Sequence, residues 1–378
     1  MKVSFIFGTR PEAIKLAPLI HAIREDGELQ SHVCVTGQHQ SMLTQVMDAF
    51  SIEPDVNLNL MTANQSLAAF SSRALRAIEN YLEVEEPDLV MVQGDTSTVM
   101  CAALAAFYRK IPVGHVEAGL RTGNRYSPFP EEMNRVLTTQ LAELHFAPTE
   151  GARDHLISAG VAPKNITVTG NTIVDALEMA QEMVRANPPV IEGLDLNLAA
   201  CDSGRRIVLI TGHRRENFGD EFEEICQAIL ELSRKFPDVD FIYPVHLNPN
   251  VQEPVYRILS GRENIKLISP VGYLQFVALM ARSTLILTDS GGIQEEAPSL
   301  GKPVLVMRDS TERPEGIEAG VAKLVGSSRE SIISSSVALL DDPCQYNQMC
   351  QSENPYGNGQ AAKYILNTVI EHFSAVCA

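Results

Sequence analysis

The stretch Val3-Ser4-Phe5-Ile6-Phe7-Gly8-Thr9-Arg10-Pro11-Glu12-Ala13-Ile14-Lys15 decides the fold class. Val3–Phe7 is rich in branched and aromatic side chains and reads as a strand apolar on both faces. Gly8 turns the chain. Pro11 opens a helix predicted over Glu12–Glu25, because proline suits the first turn of a helix, where its missing N–H costs nothing. A strand that runs straight into a helix is the start of a βαβ unit, and such units build parallel sheets.

The same alternation runs outward from this stretch. His32–Thr36, Leu89–Val92 and Pro112–Val116 are predicted strands, with a helix over Val99–Phe107. The pattern restarts with a strand at Ile207–Thr211, a helix at Phe222–Phe236, and strands at Val239–Tyr243, Ile265–Ile268, Leu285–Thr288 and Val304–Met307. Arg185–Arg205, with Asn187-Pro188-Pro189 and weak periodicity, reads as a linker region. Gly359–Phe373 reads as a final helix. These elements predict an α/β protein of two doubly wound halves around a cleft, and ligands of such sheets bind beyond the carboxyl ends of the strands.

Composition narrows the function classes. The chain has 378 residues, enough for two domains at ~150 residues each. Apolar residues make up 45% and charged residues 20%, which suits a globular protein and excludes a disordered chain, a collagen or a coiled coil. The formal charge of −17 argues against nucleic acid or an anionic membrane as a partner. Seven cysteines are scattered without a C-x-x-C pair, which argues against a disulfide framework or a zinc ribbon. The apolar N-terminal run is too short for a signal peptide, and no segment reaches the ~20 apolar residues of a membrane span. The expectation is a reduced, cytoplasmic protein. No G-x-x-x-x-G-K-[ST], G-x-S-x-G or H-E-x-x-H motif occurs, which disfavours a Walker ATPase, a serine hydrolase and a zinc enzyme. No metal and no cofactor is expected.

Six motifs follow predicted strands. Gly8-Thr9-Arg10-Pro11-Glu12, with Lys15, offers a helix N-terminus and two cations, suited to an anion. Gln93-Gly94-Asp95-Thr96-Ser97 places Asp95 at a strand end, either as an acid/base group or as a helix cap. In Gly114-His115-Val116-Glu117-Ala118-Gly119, Glu117 faces the cleft. The flanking glycines leave room for a ligand there, and His115 reads as a core residue. Pro130-Glu131-Glu132-Met133-Asn134-Arg135 puts Glu131 and Arg135 on one helical face, as a surface ion pair or as an acid beside a phosphate-binding arginine. Thr211-Gly212-His213-Arg214-Arg215 concentrates cationic and titratable groups directly after a strand. His213, with a pKa near neutrality, suits hydrogen bonding to a leaving phosphate. Thr288-Asp289-Ser290-Gly291-Gly292-Ile293-Gln294-Glu295-Glu296 is the most specific signal. Small residues open a helix N-terminus to a diphosphate, Glu296 lies one turn on for ribose hydroxyls, and Arg308 and Arg313 follow the next strand.

Taken together, FGTRPEAIKLAPLI from Phe7, QGDTSTV from Gln93, GHVEAGLRTG from Gly114, SPFPEEMNR from Ser127, TGNTIVDAL from Thr169, TGHRREN from Thr211, YPVHLNPNV from Tyr243, LTDSGGIQEEAPSLGKPVLVMRDSTERPE from Leu287 and NPYGNGQA from Asn354 resemble the non-hydrolysing bacterial UDP-N-acetylglucosamine 2-epimerases. The motifs run in order over nearly the whole chain. The resemblance implies two Rossmann-like domains arranged as in B-type glycosyltransferases. These are 1–170, with a C-terminal helix in 359–378 packing back on it, and a UDP-binding domain at 171–358. It implies reversible interconversion of UDP-GlcNAc and UDP-ManNAc, by elimination of UDP to a 2-acetamidoglucal and re-addition, feeding bacterial surface polysaccharide. Asp95, Glu117, Glu131 and His213 match the family's catalytic groups. Arg10, Lys15, Arg135, Phe276 (toward the uracil), Ser290, Gly291, Gly292, Glu296 and Arg313 match its substrate-binding groups. Several members bind a second UDP-GlcNAc as activator, and Gln38, His39, Met42, Arg214 and His246 match residues there. Ser41 and Asn64 depart from the Gln and Arg that can occur at those positions. A homodimer is implied as well.

Overall fold

The computed structural model describes residues 1–37, 40–62, 65–194 and 204–377, with backbone alone at 40–42, 215 and 375–377. Two compact units divide the chain. One comprises Met1–Ala176 with Tyr356–Ala378, the other Leu177–Pro355.

Among the described residues the first unit holds a seven-stranded sheet. Its strands are β1 (Lys2–Phe7), β2 (Gln30–Val35), β3 (Val56–Asn57), β4 (Leu89–Gln93), β5 (Val113–Val116), β6 (Leu144–Ala147) and β7 (Ile166–Val168), in the order β3-β2-β1-β4-β5-β6-β7. Every pairing is parallel. The second unit repeats the plan with β8 (Arg206–Thr211), β9 (Val239–Pro244), β10 (Ile265–Ile268), β11 (Leu285–Thr288), β12 (Val304–Val306) and β13 (Ala322–Leu324), ordered β10-β9-β8-β11-β12-β13 and again parallel. Each unit is thus a Rossmann-like, doubly wound α/β domain. Its strand order reverses beside its own first strand, between β1 and β4 and between β8 and β11, and such reversals open a crevice at the strands' carboxyl ends.

The opening stretch folds as a strand, turn and helix, with the helix at Arg10–Asp26. Glu12 closes its N-terminus. Its Oε2 accepts the N–H of Gly8 at 3.0 Å and of Thr9 at 2.7 Å. Its Oε1 accepts the hydroxyl of Thr96 at 2.7 Å. One buried carboxylate therefore ties the turn after β1 to the turn after β4. Burial raises its pKa, against the opposing pull of these hydrogen bonds. The C-terminal helix, Ala361–Cys377, packs on the helix Arg10–Asp26 inside the first unit, and the N–H of Ala362 donates to Asp175 at 2.9 Å.

Each unit has its own core. Ile6, Val90, Val92, Phe70 and Ile78 lie in one, and Val208, Ile210, Phe222, Phe241 and Leu287 in the other, all at most 3% exposed. Each such side chain contributes roughly 1.5–3 kcal/mol on burial. No helix among the described residues is long and apolar enough to cross a membrane.

Four findings differ from expectation. The region read as a linker from Arg185 begins later, because the helix Thr172–Ala186 carries through Arg185. The helix cap after β4 is Thr96, which accepts the N–H of Val99, and not Asp95. The short strands β3, β6, β7 and β13 extend the sheets beyond those expected. The glycines flanking Glu117 serve packing. A Cβ on Gly119 (φ +93°) would strike the carbonyl of Ala152, and one on Gly114 would strike the thioether of Met91.

Candidate active site

In the first unit the candidate groups gather at the ends of β1, β4 and β5. Glu117 follows β5 with φ 64°, a left-handed conformation costly for a non-glycine residue and found where the surroundings dictate it. Its carboxylate is 7% exposed and ion-paired with Lys15, whose side chain is 9% exposed. The same oxygen, Oε2, accepts from the amide of Asn171 at 2.8 Å. A second pair lies nearby. Asp95 Oδ2 accepts from Arg135 at 2.5 Å, and Asn134 holds the Asp95 carbonyl at 2.8 Å. Arg135 turns its other nitrogen to Glu132 at 3.1 Å, and Glu132 also accepts the N–H groups of Thr122 and Gly123. The four-residue pairing of Arg135 with Glu131 is therefore replaced by Glu132 and Asp95. Glu131 opens the helix Glu131–Leu141 half-buried, and Arg10 is half-buried in the first turn of its own helix.

His115 is a core residue, fully buried, with Nε2 at 2.8 Å from the Gly94 carbonyl. It lies beside His145 in the register of β5 and β6. Burial drives its pKa down to about 3, against the Gly94 hydrogen bond, and burial drives His145 to about 4. Both stay neutral in the fold. An unfolded chain takes up these protons below about pH 6.5. Their contribution to stability is therefore complete above that pH and is lost as the pH falls toward 4 and 3. The expected result is an imidazole signal of His115 that keeps its neutral-ring shift down to pH 4 in NMR. Titration near pH 6 would contradict it.

In the second unit the site is built on Asp289, just past β11 and fully buried. Its Oδ2 accepts the backbone N–H of His213 at 2.7 Å and of Arg214 at 2.8 Å, which fixes the turn after β8. Its Oδ1 lies 3.6 Å from His213 Nδ1. The His213 ring is partly exposed and stacks on His246 at 5.2 Å and 14°. Burial lowers the pKa of His213, Asp289 opposes this, and His246 and Arg214 add to it. Tyr243 donates to the Gly212 carbonyl at 2.8 Å and secures the turn from below.

The helix Gly291–Ser299 begins beside this turn, with half-buried Ser290 as its N-cap. The N–H groups of a helix's first turn have no partner within the helix and attract anions. Glu296 is buried and accepts from the Tyr273 hydroxyl at 2.9 Å. Phe276 sits half-buried on the helix Tyr273–Arg282. Arg313 donates to Glu295 at 2.6 Å, and Arg308 reaches Glu216 at 2.5 Å and Glu312 at 2.9 Å. Burial opposes charge on Glu312, but Arg308 and Arg313 outweigh it and hold its pKa at about 2. Both arginines are thus fixed by carboxylates.

A Cβ on Gly291 would stand 2.5 Å from Nη1 of Arg313 and 2.8 Å from its Cζ. Because Glu295 pins that guanidinium, the clash displaces the helix N-terminus. Gly291→Ala is expected to weaken binding of a diphosphate at this helix N-terminus about tenfold, or 1.4 kcal/mol, with the thermal midpoint nearly unchanged. Calorimetric titration with pyrophosphate reads this directly.

The proposed activator residues are placed in part. Gln38, His39 and Asn64 lie outside the described residues, and Met42 and Ser41 are described by backbone alone. Arg214 and His246 flank His213. Sequence reasoning passed over Glu12, Glu132, Asn171, Tyr273 and the role of Asp289. Only Glu12 had a local signal, the Thr-x-x-Glu spacing of a capping box.

The profile of the UDP-N-acetylglucosamine 2-epimerase family matches residues 21–370. The chain belongs to that family. A probable UDP-N-acetylglucosamine 2-epimerase of Ralstonia solanacearum is 53% identical over 373 residues, covering 99% of this chain and 100% of that protein. The UDP-N-acetylglucosamine 2-epimerase of Escherichia coli K12 is 52% identical over 369 residues, covering 98% of each chain. The crystal structure of UDP-GlcNAc 2-epimerase from Neisseria meningitidis bound to UDP-GlcNAc superposes with a TM-score of 0.89 at 48% identity, over 98% of this chain and 100% of that one. Paired Rossmann-like domains are the plan of the B-type glycosyltransferases as well.

Proposed function

We propose that this member of the UDP-N-acetylglucosamine 2-epimerase family interconverts UDP-GlcNAc and UDP-ManNAc. The C2 proton of the sugar is not next to a carbonyl, so direct enolisation is closed to it. The C2–H bond breaks and its proton passes to a carboxylate, while the C1–O bond breaks and UDP leaves with that electron pair. A 2-acetamidoglucal remains. UDP then adds back at C1 as a proton returns to the opposite face of C2.

The observation that carries this reading is the pairing of Glu117 with Lys15 and Asn171 beside the Asp95–Arg135 pair. Proton transfer on two faces needs two acid/base groups, and Asp95, Glu117 and Glu131 supply the carboxylates. Preorganised charge worth several kcal/mol stabilises a leaving anion. His213, Arg10, Arg313 and the Ser290-Gly291-Gly292 turn are assigned to the departing diphosphate. Lys15 and Arg135 hold the carboxylates, Glu296 takes the ribose, and Phe276 the uracil. A second UDP-GlcNAc acts as activator through Gln38, His39, Met42, Arg214 and His246, with the enzyme a homodimer in the cytoplasm and ManNAc units passing to surface polysaccharide.

The test is incubation with UDP-GlcNAc in D₂O, followed by proton NMR. UDP-ManNAc carrying deuterium at C2 is the expected product. Free ManNAc and UDP would replace this reading with a hydrolysing one.

A further inference from the structure

Asn171 precedes the helix Thr172–Ala186 and is 2% exposed. Its side chain makes two different bonds. Oδ1 accepts the N–H of Ile173 at 3.1 Å, and Nδ2 donates to Oε2 of Glu117 at 2.8 Å. The first is an ordinary helix cap, which needs only an acceptor and which Asp or Ser supplies equally well. The second needs a donor, which of the capping side chains an amide or a hydroxyl provides and a carboxylate does not.

Lys15 alone does not fix the carboxylate of Glu117. An ammonium is a point donor on a flexible stem and leaves the carboxyl plane free to rotate about it. A second donor on the same oxygen removes that freedom. The backbone of Asn171 is itself held on both sides. Its backbone N–H donates to the Tyr356 carbonyl at 2.7 Å, and its carbonyl accepts from Val174 at 3.1 Å. Next to it, a Cβ on Gly170 would stand 3.1 Å from the Cα of Gly357, so the two backbones are in contact. The chain returning at Tyr356-Gly357 thus seats Asn171, and Asn171 seats Glu117.

We propose that Asn171 is a positioning residue for Glu117, fixing the carboxyl orientation through its Nδ2 donor and being held in turn by the returning segment Tyr356-Gly357. The inference rests on the epimerase reading and on the role given there to Glu117.

The test compares Asn171→Asp with Asn171→Ala and the wild-type chain. Asn171→Asp keeps the cap acceptor and the backbone bonds but replaces the donor with an oxygen facing Glu117. The expected result is a fall in kcat of about 10- to 100-fold in both variants, the scale of an ångström-sized misplacement of a reacting group. KM for UDP-GlcNAc and the Kd for UDP should stay within threefold of wild type, and the Asn171→Asp melting temperature within a few degrees. Undiminished kcat in Asn171→Asp overturns the inference. A collapsed melt of Asn171→Asp, or loss of UDP binding in step with kcat, overturns it as well, because either marks a role in folding alone. A wild-type chain that leaves UDP-GlcNAc unchanged overturns the functional reading first, and the inference with it.

Discussion

Exchanging Glu117 for Gln is expected to lower turnover by about 10²–10⁴-fold while UDP still binds within a few-fold of its wild-type affinity. Gln has the shape of Glu and keeps an acceptor for the amide of Asn171 and the ammonium of Lys15. It loses the charge and the ability to take a proton. If Glu117 moves the C2 proton, kcat falls while most of the groups assigned to the diphosphate are untouched, since His213, Arg313 and the Ser290-Gly291-Gly292 turn belong to the second unit. Initial rates with product analysis, beside calorimetry with UDP, separate the two effects. Wild-type turnover would remove Glu117 from the chemistry.

Asp289 carries the second large effect. Its removal in Asp289→Ala leaves two partly buried N–H groups, those of His213 and Arg214, without their acceptor. Hydrogen bonds to a charged group are worth about 1.5–3 kcal/mol each, so destabilisation of about 3–6 kcal/mol is expected. Turnover should fall about 10²–10³-fold, because the turn that presents His213 is no longer set. Asp289→Asn is the milder variant and reads the electrostatics. Asp289 raises the pKa of His213 against burial, His246 and Arg214. Removing its charge lowers that pKa further, so a smaller fraction of His213 is protonated at pH 7. Where turnover uses the protonated ring, the pH optimum moves toward acid. An unchanged pH–rate profile would show that the charge on His213 plays no part.

Much of the fold was legible because its strands are covered on both faces. Ile207–Thr211 and Leu285–Thr288 are near-continuous apolar runs, and they stand as β8 and β11 within a residue of their expected bounds. The strands that escaped notice are short and mixed. Ile166-Thr167-Val168 is only half-buried, and Val56-Asn57 pairs over two residues at the sheet edge, so neither carries a run. Boundaries moved where a distant partner sets them. The last helix begins at Ala361, where Asp175 takes a backbone N–H from 187 residues away.

The candidate site was legible as a set of strand-end motifs but not as pairs. Lys15 and Glu117 stand 102 positions apart, and Asp95 and Arg135 stand 40 apart. Spacing along one helix favoured Glu131 for Arg135, but the buried Glu132 holds it. Asp289 reads in sequence as one small polar residue in a turn. Only the parallel register of β8 against β11, with Thr211 opposite Thr288, brings it under the N–H groups of His213 and Arg214.

The split composition of the first unit sets an order of assembly during synthesis. Residues 356–378 leave the ribosome after every residue of the second unit, so Leu177–Pro355 is complete while the first unit still lacks its last piece. Until then the helix Arg10–Asp26 has no Ala361–Cys377 against it, and Asn171 has no Tyr356 carbonyl to hold. Domains generally fold as units, the N-terminal one first. Here the N-terminal unit finishes second, once residues 356–378 are available to it. A chain that lacks Tyr356–Ala378 keeps every residue of the second unit and leaves the first without its last helix.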